Sequence, residues 1–98
     1  MSYIYTKFAL IEATHLVHPG FFEPATMRFF NSRLCAIVPG PPERCYFVTS
    51  EKGPDRVRRY TIRLLSESGV ETVGGFQAYA KRGTAVVAAH RLHHAKYR

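Results

Sequence analysis

The chain has 98 residues, 46% hydrophobic, 13% aromatic and 21% charged, which suits one modest core and excludes a two-domain enzyme with a deep interdomain cleft. Fourteen Lys and Arg against seven Asp and Glu give a net charge of +7, and the excess is uneven: residues 1–50 hold four bases and three acids, residues 51–98 ten bases and four acids. The composition is that of a folded chain rather than a disordered one, and its charge favours polyanionic partners without choosing among nucleic acid, nucleoprotein and acidic protein.

In chain order, Ile4, Phe8, Ile11 and His15 recur at helical spacing, with Tyr5, Ala9 and Leu16 broadening the stripe, which predicts a helix over Tyr5 to Val17. The sequence "HPG" at 18–20 ends it. Glu23-Pro24 is a helix start, with Phe22 and Met27 at the spacing of a hydrophobic staple, so a short helix is expected with Met27, Phe30 and Leu34 along one face. "LCAIV" predicts a buried strand, "PGPP" a turn, and "RCYFVTSE" a second, alternating strand. After "EKGPD", the run "VRRYTIRLL" alternates, with Val57, Arg59, Thr61 and Arg63 on one face and Arg58, Tyr60, Ile62 and Leu64 on the other. "SESG" turns into a shorter strand, "VETVGGF", and from Arg82 the spacing predicts a closing helix. The expected fold class is α+β: one domain over residues 1–98, a three- to four-stranded antiparallel meander with two longer helices and one short helix on one face.

The blocks "FFEPATMRFFNSR", "YFVTSEK", "RRYTIR" and "ETVGGFQAYAKR" together resemble a family of small proteins of unknown function scattered through bacteriophage genomes, prophages and plasmids. The resemblance runs from Phe21 to Leu92, and the motifs match in order and spacing. Two departures stand out: Gly75 replaces the acidic residue that commonly follows ETVG, and "RGTAVVAAH" is less charged than the usual last helix. What the resemblance implies is a phage or mobile-element accessory protein in a bacterial cytoplasm, a setting in which small proteins often block host defences in the manner of anti-CRISPR or anti-restriction proteins.

Catalytic chemistry finds no foothold. The serines lack a nucleophile-elbow context, the carboxylates are scattered over helix, cap and turns, and Gly74-Gly75 lacks the rest of a phosphate loop. Cys35 and Cys45 have no C-x-x-C spacing, which argues against a disulfide framework or zinc ribbon and for a reduced, cytosolic setting. His90 and His94 form an i, i+4 pair beside His93, and these would meet His15 and His18 if both long helices packed on the same sheet face. No H-E-x-x-H anchors them, so neither metal nor other cofactor is expected. The N-terminus lacks the basic region of a signal peptide, and no apolar run approaches the ~18 residues of a membrane span.

The basic residues are the more substantial set. Lys52, Arg56, Arg58, Arg59 and Arg63 share one turn and strand near Tyr46, Phe47 and Tyr60, as a single-stranded nucleic-acid platform would require. The plainer reading puts Arg59, Thr61 and Arg63 on a solvated sheet face and the rings in the core, because a one-sided sheet must bury one face anyway. Arg28, Arg33, Lys81 and Arg82, with Arg91, Lys96 and Arg98, add a second patch at helix ends. The expectation is a non-catalytic protein, monomer or small homo-oligomer, that binds and inhibits a host defence protein or nucleoprotein through Arg28, Arg33, Lys52, Arg56, Arg58, Arg59, Arg63, Lys81 and Arg82. The alternative is a direct nucleic-acid-binding module built on the Arg-rich strand. On this reading Arg59→Glu with Arg63→Glu abolishes binding and leaves thermal stability nearly unchanged.

Overall fold

A computed structural model describes residues 3–17 and 32–96. Helix α1 (Lys7–Val17) precedes strands β1 (Leu34–Ile37), β2 (Arg44–Lys52), β3 (Arg58–Ser66) and β4 (Gly69–Val73), and helix α2 (Arg82–Lys96) closes the chain. The strands form one antiparallel sheet in the order β1-β2-β3-β4, the expected meander. Ser32 and Arg33 are helical, and the rest of the expected short helix, with its staple of Phe22 and Met27, lies outside the described residues.

α1 begins two residues later than its spacing predicts because Thr6 caps it: the Ala9 N–H donates to Thr6 Oγ1 at 3.1 Å. Upstream, Ile4 is held extended by a bridge to Gly40. The buried stripe of α1 is also rotated from the expected one. Leu10, Ile11, Ala13 and Thr14 face the sheet, whereas Phe8 is 75% exposed and His15 and Leu16 face outward. Thr14 can occupy the buried face because its hydroxyl donates to the Leu10 carbonyl at 2.8 Å, which satisfies the one polar group that obscured the stripe in the sequence.

The two helices do not share one face of the sheet. Cys45, Phe47 and Leu65 pack with Leu10, Ile11 and Ala13 of α1, while Tyr46, Val48 and Ile62 pack with Ala85 and Ala89 of α2. Adjacent strand residues point to opposite faces, so α1 and α2 cover opposite sides. The cause is in β2, where Cys45, Tyr46, Phe47 and Val48 are consecutive and all buried, the pattern of a strand covered on both sides rather than of a half-solvated one. At β1 a bulge at Cys35 turns both Cys35 and Ala36 toward α2 and leaves Leu34 and Ile37 for the α1 side.

Gly40 and Gly74 are required by the geometry. A Cβ on Gly40 would stand 2.9 Å from the Arg44 carbonyl oxygen, and Gly74 ends β4 with φ of 85°. From Gly74 the chain returns along β3, where Tyr79 exchanges backbone hydrogen bonds with Tyr60 in both directions, at 2.8 and 3.1 Å. That return sets where α2 starts. No described helix is long and apolar enough to cross a membrane.

Candidate anion-binding surface

Strand register decides which cations of β2 and β3 are free to meet a partner. Lys52 stands directly opposite Arg58, on the face covered further along by α2, and both are exposed. Like charges opposite one another in an antiparallel pair repel. Arg58 donates to Ser50 Oγ at 2.6 Å, and neither Arg58 nor Lys52 has a carboxylate partner among the described residues. Arg56 occupies the β2–β3 turn with φ of 62°, its N–H donating to the Gly53 carbonyl, and is exposed.

Lys81 and Arg82 are brought to the same end of the sheet by the return segment. Tyr79 pairs antiparallel with Tyr60, so the residues that follow Tyr79 run toward Arg58. Both are exposed at the start of α2, which has no acidic residue in its first turn, and Arg82 donates to the Cys35 carbonyl at 3.2 Å. Arg33, also exposed, adjoins the end of β1 at which Leu34 pairs with Thr49. Arg33, Lys52, Arg56, Arg58, Lys81 and Arg82 therefore gather at one end of the molecule, here called the basic tip. Arg28 lies outside the described residues.

Two of the expected binding arginines are committed elsewhere. Arg59 forms an exposed ion pair with Asp55 at 2.8 Å; the guanidinium holds the Asp55 carboxyl below its usual value, and Asp55 in turn raises Arg59. Arg63 is not on a solvated face at all. Its Nη2 pairs at 3.0 Å with Glu51, which is 3% exposed, its Nε donates to Thr49 Oγ1 and its Nη1 to Thr72 Oγ1. Thr49 and Thr61 donate to the two carboxylate oxygens of Glu51, Gln77 Nε2 donates to the Glu51 carbonyl, and the Phe76 ring lies 5.7 Å from the Arg63 guanidinium. The polar half of the α1-side face is thus a closed network, with Arg63 as its internal cation.

The sequence reading missed Glu51, which looked like one more scattered carboxylate. The signal was parity: Glu51, Thr49, Thr61 and Arg63 all fall on one face once β2 is paired with β3. It also missed Tyr79, whose bridge carries Lys81 to the tip.

Of the aromatic residues proposed for stacking, Tyr46 and Phe47 are buried and Tyr60 is half-buried against the α2-side core. The histidines do not converge as they would with both helices on one face: His15 is on α1 and His90, His93 and His94 on α2, across the sheet. His18 lies outside the described residues. Among the described residues no three His, Cys, Asp or Glu side chains form a metal-binding group. Burial pushes the Cys45 thiol up to about 12, which keeps it protonated and unreactive at neutral pH.

No curated protein and no solved structure matches the chain. Residues 11–90 match the model of a family of unknown function, DUF7447, and take in the last two-thirds of α1, the whole sheet and the first nine residues of α2. The chain belongs to that family.

Proposed function

We propose that the protein is a non-catalytic binding protein whose basic tip docks on an anionic partner. The instance suggested by its resemblance to phage and mobile-element proteins is a host defence nucleoprotein or enzyme, which it would inhibit by occupation. The observation that carries this reading is the direct opposition of Lys52 and Arg58, with Arg56, Lys81 and Arg82 at the same end. Nearby carboxylates do not offset them: Asp55 is taken by Arg59 and Glu51 by Arg63. An anionic partner relieves that repulsion and gains electrostatically steered encounter.

The alternative, direct binding of single-stranded nucleic acid, draws on the same cations. Burial of Tyr46 and Phe47 weighs against it, since a stacking platform needs exposed ring faces. Two measurements separate the readings. Titration of single- and double-stranded DNA and RNA at two salt concentrations is expected to give weak binding, and tight binding with a steep salt slope favours the alternative. Retention of a nucleoprotein from bacterial host cytosol on the immobilised protein is expected to disappear with Lys52→Glu plus Arg58→Glu. A partner retained equally by that variant removes the tip from the site.

A further inference from the structure

The charge on α2 is not confined to its first turn. Thr84, Val87, Ala88, Arg91 and Ala95 recur at helical spacing, on a stripe beside the one that buries Ala85 and Ala89 against the sheet. This row is one wall of an open groove whose other wall is Val73 and Gly74 at the end of β4 and Tyr79 of the return segment. The groove consists of two adjoining depressions, about 700 and 450 Å³, which share Tyr79, Ala88 and Arg91. From Thr84 to Ala95 the rise of an α-helix gives it a length of about 16 Å.

Its lining decides what fits. Val73, Val87, Ala88, Leu92 and Ala95 are aliphatic, Lys81 and Arg91 are its cations, and among the described residues no carboxylate lines it. Val87 is 51% exposed in the depression. A second copy of this chain would bring another +7 against a basic groove, so self-association is opposed by charge. Nucleic acid asks for a run of cations with rings to stack on, and among the described residues Tyr79 is the one ring lining the groove and its cations are about 15 Å apart along the helix. Aliphatic walls with cations at the end and middle are instead the apolar centre and charged margin of a peptide site.

We infer that the groove between α2 and the Val73–Tyr79 segment is a docking site for a short acidic segment of a protein partner. It seats aliphatic side chains against Val73, Val87 and Leu92, and carboxylates against Lys81 and Arg91. About five extended residues, at ~3.3 Å each, fill its length. The site shares Lys81 with the basic tip but requires nothing of Lys52, Arg56 or Arg58, so Lys52→Glu plus Arg58→Glu tests the tip without touching the groove.

The test is selection of a randomised 12-residue peptide library on the folded protein, followed by fluorescence anisotropy with the enriched peptides. The expected winners combine Asp or Glu with Leu, Ile or Val. Their affinity falls at least tenfold with Val87→Glu and with Arg91→Glu, and changes little with Lys52→Glu plus Arg58→Glu, all three variants being checked for wild-type melting. Absence of enrichment, enrichment of basic or uncharged peptides, or binding indifferent to both groove variants overturns the inference. So does displacement of the peptide by oligothymidylate whose own binding is lost in Arg91→Glu and kept in Val87→Glu, since that would make the groove a nucleic-acid site.

Discussion

Arg63 is an ordinary exposed-looking strand arginine in the sequence and an internal counter-ion in the fold. Removing one partner of a buried pair leaves an uncompensated charge, whereas removing both leaves none. Arg63→Ala is therefore expected to destabilise by about 3–5 kcal/mol. The double change Glu51→Leu with Arg63→Met should recover most of that loss, measured by urea denaturation. The variant pair Arg59→Glu with Arg63→Glu is for the same reason a poor probe of the surface, since it would place a carboxylate beside buried Glu51. His93 makes a second prediction at this scale. Its pKa is lowered below the usual histidine value, first by burial and then by the nearby His94, Arg44 and His90 charges. The unfolded chain therefore takes up a proton at higher pH than the folded one, and stability falls as pH drops through about 6.5. His93→Gln should flatten that part of the pH dependence, which urea midpoints at pH 8 and pH 5.5 will show. An equal drop in the variant assigns the effect to other groups.

At the scale of elements, the strand pattern was legible and the helix faces were not. Alternation placed Arg59, Thr61 and Arg63 against Arg58, Tyr60, Ile62 and Leu64 correctly, because side-chain parity along β3 is fixed by the pleat. Parity does not say what covers each face. That information lay in four consecutive apolar residues of β2, read as loose alternation when they marked a strand buried on both sides. For α1, a stripe chosen by apolar residues alone took in Phe8 and passed over Thr14, whose hydroxyl is satisfied within the helix. The start of α1 was legible in principle through Thr6, and Thr6→Ala is expected to cost about 1 kcal/mol in chemical denaturation. A negligible loss would mean that Ile4 and Gly40, which bridge just upstream, hold the helix start without the cap. The candidate site was half legible: the basic residues were visible as a set, but the commitment of Arg59 and Arg63 to carboxylates and the placing of Lys81 beside Arg58 depended on register and on the segment through Tyr79.

On the scale of the whole molecule, charge and packing are separated in space. Two helices and the inner strands bury the core on both sides of the sheet, and exposed cations collect at the tip and along the outer side of α2. A small domain arranged in this way can offer a rigid charged surface without a deep cavity, which is what docking on a larger anionic partner asks of it. The two surfaces meet at Lys81 and are separable by mutation elsewhere: Lys52 and Arg58 belong to the tip alone, Val87 and Arg91 to the groove alone.

The burial of β2 between two helical layers has a consequence for the molecule's own fluctuations. Solvent can reach the amide protons of Cys45 to Thr49 only when α1, α2 or a flanking strand comes away, whereas β4 is paired on one side only among the described residues and is exposed at Glu71 and Thr72. Hydrogen exchange should divide accordingly: the β2 amides are expected to exchange only at the free energy of global unfolding, and the β4 amides through smaller openings. If β2 and β4 instead exchange at one common rate across denaturant concentrations, the sheet opens as a single unit and neither helix acts as a separate lid.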